Sequence, residues 1–466
     1  MLNKSEIYTD KSINKKAVKE FFLNNSHTEI HTVKIVNNGK TMLRIAPKPY
    51  SCKDCMQVYS LSKSFSGTAI GILCSDGVLS VEDYVCDIFP DRIPAKHSEN
   101  LDKLQIKHLL SMNTGHETSV LEQSIGCEDM VSNMFSKEIK FNPSEHFTYN
   151  NGASYILSEI VTKYSGMSLF DFLYLRLFKP LGMNIKKWDS YKNGISQGAI
   201  GLYISIDDIA KLGQLYLNGG VWKSERILSE EWVENASKKQ SDNSENGTAD
   251  WSSGYGYQLW INHKEGYRGD GAVGQLMIVL PNKNMIVAVQ ALTNDMQKEM
   301  DFVLKLVNEL NCESDDIAVS DSVDSYYPIR KCDKEDLKKY CGTYICEENN
   351  SGITLAEVKI NKDNVVFSFS DGKKLQNMYF GIGKWSKSDI SIKNFRPTLD
   401  SLVEPNIEND IVFASYCYTE NNRLCAYIKF LDCPHNITLK FSVSEDEITV
   451  YKDEKQFLKM KKLNRE

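Results

Sequence analysis

Long apolar runs are missing from this chain: the longest stretches, such as Met277–Leu280 and Met285–Val289, have the length of a strand, far short of the ~20 residues a membrane helix needs. The opening residues, MLNKSEIYTDKSINKK, carry no apolar run of the signal-peptide kind, so a cytoplasmic protein with no membrane span is expected. Dense Lys/Arg blocks are missing as well, and 55 Lys+Arg against 62 Asp+Glu give a formal charge of −7. That leaves no electrostatic footprint for nucleic acid or an anionic lipid surface. Cysteine is sparse for a disulfide scaffold, 12 in 466 residues. The one pair at CxxC spacing, Cys52 and Cys55, has no second CxxC or HxxxH to complete a zinc set. These cysteines are read as structural or incidental thiols, with no metal and no cofactor expected.

What is present is a globular balance, 41% hydrophobic and 25% charged, and a length that allows one to three domains. Apolar residues recur at helical spacing over 13–24; Val33–Val36 and Met42–Ile45 then flank Asn38-Gly39, the strongest short-range signal for a β-hairpin. Ser60–Leu73 places Phe65, Ala69, Ile70 and Leu73 on one helical stripe, with Gly77 as a C-cap candidate. Residues 100–240 read as a helical block, including Asn151–Tyr164 and Ile206–Leu217. Strand character returns at Tyr255–Trp260, Leu276–Leu280 and Met285–Val289, before a last helix over 295–310. Strands at both ends of a helical middle predict an α+β domain over 1–312 whose antiparallel sheet joins distant parts of the chain. Residues 313–325 hold five acidic residues and no basic ones, which predicts an acidic linker over 313–330. Strict alternation at Ile437–Val443 places an all-β domain, a small barrel or sandwich, over 331–466.

Tyr59-Ser60-Leu61-Ser62-Lys63 opens the buried helix, putting Ser60 and Lys63 at i and i+3 on one face. A serine hydroxyl becomes a useful nucleophile when a base takes its proton, and a lysine desolvated enough to be partly neutral is such a base. At the first turn of a helix Ser60 also gains backbone N–H groups near a developing oxyanion. Taken alone, an SxxK spacing occurs by chance.

The rest of the chain supplies context. The stretch from Val58, VYSLSKSFSGTAIGILCSDGVLSVEDYV, the segment Leu104–Gly115, the Tyr-x-Asn pattern in Phe147–Gly152, and the stretches Gly201–Ala210 and Leu215–Gly220 follow one another in order. Together they resemble the serine β-lactamase and penicillin-binding-protein superfamily, in its class C-like branch of serine hydrolases, over about residues 20–310. The resemblance implies a β-lactamase/transpeptidase-like fold in which Ser60 carries the acyl-enzyme, Lys63 accepts its proton, Tyr149 shuttles it to the leaving group, and Asn151 orients Lys63 and the acyl side chain. From the residues alone, Tyr149 is equally a core tyrosine and Asn151 a helix N-cap.

The family's third motif, a cation followed by Thr, Ser or Gly and then Gly, is altered. Gly271 falls at the motif glycine, Asp270 at the middle position and Gly269 at the cation, which is displaced to Arg268. Arg268 is a candidate to hold a substrate carboxylate or lower the Tyr149 pKa, the alternative being a surface arginine paired with Asp270. The second oxyanion N–H is expected near Gly271. Gly194-Ile-Ser196-Gln-Gly198 matches GxSxG, but no apolar strand leads into it, and His116 and His263 form no Ser-His-Asp pattern with it. The expectation is a metal-independent serine hydrolase acting on a small-molecule or peptide acyl substrate: esters first, then D-amino-acid peptides and amides, then β-lactams. The competing class is a weakened penicillin-binding or regulatory protein that binds acyl ligands without turnover. The β domain is expected to shape substrate access or mediate contacts.

Overall fold

The computed structural model describes residues 2–24, 27–310, 318–330, 332–393, 395, 397 and 408–463. The Asn-Gly hairpin forms between the strands Thr28–Asn37 and Lys40–Ala46. Asn38 and Gly39 have φ of +49° and +73°, the pair of positive values that a two-residue type I′ turn needs. This hairpin sits inside a seven-stranded antiparallel sheet with the order Glu6–Thr9, Lys40–Ala46, Thr28–Asn37, Met285–Thr293, Gln275–Leu280, Tyr267–Gly271 and Trp260–Ile261. The central pairing, Val33 with Val289 and Ile35 with Val287, joins residues about 250 positions apart.

The helices Lys15–Asn24 and Met296–Glu309 cover one face, burying Phe21, Phe22, Val303 and Leu306 on Ile278, Val287 and their neighbours. The other face carries the helix Ile206–Leu217, and beyond it the helix Ser62–Ser75, buried at every position from Ser62 to Leu73. Small residues permit that burial: a Cβ at Gly71 would overlap the Trp232 ring at 2.3 Å. Gly77, at φ +71°, follows the helix end and lets Val78 N–H donate back to Leu73 O at 3.0 Å.

Two sequence expectations differ from the structure here. Tyr255–Trp260 is mostly loop, with the strand confined to Trp260–Ile261, while Tyr267–Gly271 forms the strand that apolar patterning missed. Its alternation of glycine with charged residues is legible only once both of its neighbours are in place. Within 100–240, the helices are joined by long loops and short strands at Lys187–Trp188, Leu202–Ile204, Val221–Trp222 and Glu225–Arg226.

Of the expected linker, residues 313–317 lie outside the described residues; the remainder forms the short helix Ser320–Asp324 and then packs on the sheet. Tyr326 and Tyr327 donate their hydroxyls to the carbonyls of Thr28 and Ile30 at 2.5 and 2.8 Å. Beyond it, ten strands from Gly342–Cys346 to Lys455–Lys462 form one sheet. Leu375–Ile382 pairs in parallel with Glu408–Glu420 and closes nine of them into a barrel, and Ser386–Lys393 fills the rest of that edge. Alternate residues such as Val365, Phe367 and Phe369 fill the interior.

The barrel packs directly on the α+β domain. Its fully buried Lys429 pairs with Glu29 of the sheet and lies 3.8 Å from the centroid of the Tyr327 ring. Asn436 also donates to Glu29 at 3.0 Å, and Asn3 and Trp385 exchange two hydrogen bonds of 3.0 and 2.7 Å. Among the described residues, no helix is long and apolar enough to cross a membrane.

Candidate active site

Tyr59–Leu61 makes a single 3-10 turn that runs into the helix Ser62–Ser75, so Ser60 stands at the mouth of a helix buried from Ser62 to Leu73. The helix meets its polar neighbours through hydroxyls: Ser62 accepts from Leu202 N–H at 3.2 Å, Ser64 donates to Gln258 O at 3.0 Å and Ser66 to Gly198 O at 2.7 Å. One turn in from Ser60, the buried Lys63 brings Nζ to 3.0 Å from Ser60 Oγ and donates to Ala199 O at 2.9 Å. Burial pulls the Lys63 ammonium down to about 7, against the opposing pull of Asp270 and Glu122. A lysine in that condition is neutral in a large fraction of molecules at physiological pH.

Tyr149 lies across Lys63, whose Nζ is 4.8 Å from the ring centroid, and its hydroxyl is near enough to Ser60 for the serine to pull the tyrosine pKa down. The ring stacks on Trp260 at 5.5 Å and meets Tyr255 edge-on at 6.3 Å, forming an aromatic wall. Burial, with Asp270 nearby, raises the Tyr149 pKa. Arg268 does pull the Tyr149 pKa down, but burial outweighs that pull, so Tyr149 is a neutral phenol.

Asn151 differs from expectation as well. Its amide donates to Glu122 Oε1 at 2.9 Å rather than to a group on Lys63, and the helix Asn151–Ser165 is capped by Asn150, whose side chain accepts from Gly152 N–H at 2.9 Å. Two adjacent asparagines make the cap ambiguous in sequence; backbone conformation selects the first.

The third-motif strand lies directly against the serine turn. A Cβ at Gly269 would stand 2.3 Å from Ser64 Oγ, and one at Gly271 only 2.0 Å from Val58 O. At the position that carries a cation in the family pattern, the space beside the backbone is taken by the Ser64 hydroxyl and a Leu61 methyl. Arg268 is not a surface arginine: it is wholly buried, bonded to Asp270 Oδ2 at 3.1 Å, Asp250 O at 2.9 Å and Asn262 Oδ1 at 3.0 Å, and lies over Trp251 at 4.3 Å. Wholly buried, its guanidinium offers no face to a substrate carboxylate. Asp270 is the charge nearer the site, and it faces Lys63, Tyr149 and Trp260. Burial raises its pKa while Arg268 opposes the rise.

Sequence reasoning missed Glu122, the Ala199 carbonyl and Glu299. No motif marks the first two; they arrive from loops. Both Glu299 carboxyl oxygens are buried without a hydrogen-bond partner among the described residues, and a Cβ at Gly274 would sit 2.6 Å from one of them. Burial, reinforced by Asp270, pushes the Glu299 acid up to about 8. The unfolded chain releases this proton near the ordinary glutamate value, whereas the folded protein holds it to about 8, so stability is lost as pH rises across that interval. Glu299→Gln is expected to melt close to wild type at pH 5 and to be more stable by a few kcal/mol at pH 8 to 9. Parallel melting-temperature curves against pH would contradict this.

Ser196 is buried in the loop that lines the serine helix, and its carbonyl accepts from Ser158 Oγ at 2.9 Å. His116 bonds Thr114 at 2.9 Å, and His263 lies 3.5 Å from Ser253; neither approaches Ser60. Cys52 and Cys55 are free thiols. Among the described residues no cluster of His, Cys, Asp and Glu is arranged to hold a metal.

Comparison with known proteins places the fold. Over 154 residues the chain is 29% identical to penicillin-binding protein 4* of Bacillus subtilis (strain 168), a match spanning 29% of this chain and 31% of that protein. The fold superposes on the octameric penicillin-binding protein homologue from Pyrococcus abyssi with a TM-score of 0.51 at 18% identity, covering 96% of this chain and 99% of that one. A family VIII carboxylesterase superposes with a TM-score of 0.53 at 13% identity over 66% of this chain and 100% of its own. The family model described as Beta-lactamase matches residues 31–310, which hold the serine turn, the Tyr149 loop and the third-motif strand. The chain belongs to the beta-lactamase family.

Proposed function

We propose that the protein is a serine hydrolase that works through an acyl-enzyme on Ser60. The observation carrying this reading is the 3.0 Å contact between Ser60 Oγ and a buried Lys63 whose burial brings its pKa to about 7. In this reading Lys63 takes the Ser60 proton as Oγ bonds to the acyl carbon, and the carbonyl electron pair moves onto oxygen. The N–H of Ser60 and an N–H at the strand end near Gly271 hold that oxyanion. Collapse of the intermediate expels the leaving group, which receives the proton from Lys63 through the Tyr149 hydroxyl. Water then repeats the sequence and frees Ser60. Asn151 acts on this apparatus by holding Glu122 in place rather than by touching Lys63.

The altered third motif supports uncharged acyl substrates. A cation at the Gly269 position would attract a carboxylate beside the scissile bond; here the facing charge is Asp270, and Arg268 is occupied behind it. Esters, and amides without such a carboxylate, are the substrate class this favours, in the manner of the carboxylesterase with the same fold. Penicillins and peptides ending in D-alanine carry the disfavoured carboxylate.

The test is a panel of short-chain aryl esters, D-amino-acid amides, D-alanyl-D-alanine peptides and a chromogenic cephalosporin, offered to wild type and Ser60→Ala. Ester turnover that vanishes in Ser60→Ala, with the carboxylate-bearing compounds slowest, is the expected result. Equal turnover by both proteins would defeat the proposal. Stable acylation without turnover on every compound would favour a binding protein instead.

A further inference from the structure

The barrel reaches the residues immediately before Ser60. Its loop Leu431–His435 joins the strands Arg423–Phe430 and Asn436–Ser444 and enters the apolar core of the α+β domain with Leu431. The Asp432 carbonyl accepts Gln57 N–H at 2.9 Å, and His435 Nε2 lies 2.6 Å from the Tyr59 hydroxyl, the two rings meeting edge to face at 5.9 Å. Lys186 adds an ion pair to the Asp432 carboxylate at 3.8 Å.

Tyr59 is an unusual residue to find in this position. Its φ is +46°, a left-handed conformation that costs a non-glycine residue about 1–2 kcal/mol and persists where the surroundings over-determine it. The backbone before it is held by Val58 N–H donating to Leu202 O at 3.0 Å and by the pairing of Met56 and Gln57 with Ile204 and Tyr203. The Val58 carbonyl is pressed against Gly271. A further restraint is on the side chain, which is 1% exposed and ends on His435. Because the peptide after Tyr59 carries the Ser60 N–H, the setting of Tyr59 decides where that N–H and the Ser60 hydroxyl point.

We infer that His435 is a positioning residue for the hydrolytic reaction: from the barrel it clamps Tyr59, and through Tyr59 it holds the Ser60 N–H and hydroxyl in the attacking geometry. The inference rests on Ser60 being the nucleophile. It gives the C-terminal barrel a role in the chemistry of a site to which it contributes no reacting group.

The experiment measures the rate of labelling by a fluorophosphonate, together with kcat and KM on an aryl ester, for the full chain as wild type, Ser60→Ala, Tyr59→Phe, His435→Ala and His435→Gln. Tyr59→Phe and His435→Ala are expected to label about ten-fold or more slowly, with kcat lowered and KM nearly unchanged. His435→Gln, which keeps a hydrogen-bonding group for the tyrosine, is expected to recover part of the rate. Tyr59→Phe removes one oxygen and leaves the packed ring, so it carries the test should His435→Ala fail to fold. Labelling of Tyr59→Phe at the wild-type rate overturns the inference, as does a loss confined to KM. Labelling of Ser60→Ala at the wild-type rate removes the nucleophile assignment itself, a distinct failure visible in its own control.

Discussion

Replacing Lys63 with methionine is expected to slow acylation of Ser60 by about 10³-fold, the scale of a general base's contribution. Methionine preserves the length and apolar stem of a side chain that is 1% exposed, so the packing of the helix survives and the loss isolates the amine. The accompanying pH dependence has a definite sign. Burial lowers the Lys63 pKa to about 7, so the proton-accepting form is depleted as pH falls through 7 and saturates above it. In wild type, kcat/KM is expected to rise with pH up to about 7 and then level off until another group titrates. Lys63→Met loses that inflection along with the rate. Tyr149, whose pKa is raised by burial, gives no inflection near neutrality. A Lys63→Met protein that keeps full activity, or a wild-type profile flat from pH 5 to 8, would show that another group is the base.

Gly271→Ala is expected to be the most damaging change outside the dyad. The new methyl would stand 2.0 Å from the Val58 carbonyl oxygen and 3.1 Å from the Val58 carbonyl carbon. These are backbone atoms, so no rotamer change relieves the overlap. The strand Tyr267–Gly271 and the Val58–Tyr59 backbone must separate, moving the two halves of the oxyanion site apart. A displacement of about 1 Å at a reacting group costs on the order of 10²-fold in rate, and overpacking of this kind destabilises by about 1–3 kcal/mol. Steady-state kinetics and thermal melting of the same preparation measure the two effects. Wild-type kinetics in Gly271→Ala would mean that this strand does not line the reacting centre.

Local structure is legible where one residue type answers one geometric demand. Asn38-Gly39 named its own turn, Gly77 its helix end, and the i, i+3 spacing of Ser60 and Lys63 produced a 3.0 Å contact. The alternation in Ile437–Val443 belongs to a strand of the barrel. What escaped depends on partners distant in the chain. Arg268 reads as a carboxylate-holding candidate or, failing that, a surface residue, because its partners Asp250 and Asn262, and the Trp251 and Trp260 rings beside it, converge only in the fold. Tyr59 reads as an ordinary aromatic beside a motif serine; its left-handed backbone and its bond to a histidine 376 positions away have no sequence signal. Glu299 sits in an amphipathic helix where a glutamate is normally solvated, and only the turn at Gly274 seals it in.

The central claim is that Ser60 is the residue acylated. Its most direct test is peptide-resolved mass spectrometry of the full-length protein after brief exposure to a fluorophosphonate at pH 8, with Ser60→Ala treated in parallel. The predicted result is one equivalent of phosphonyl adduct per chain, located on Ser60 in the peptide around Tyr59–Lys63 and missing from Ser60→Ala. An adduct on Ser196 or any other serine, or undiminished labelling of Ser60→Ala, would contradict it.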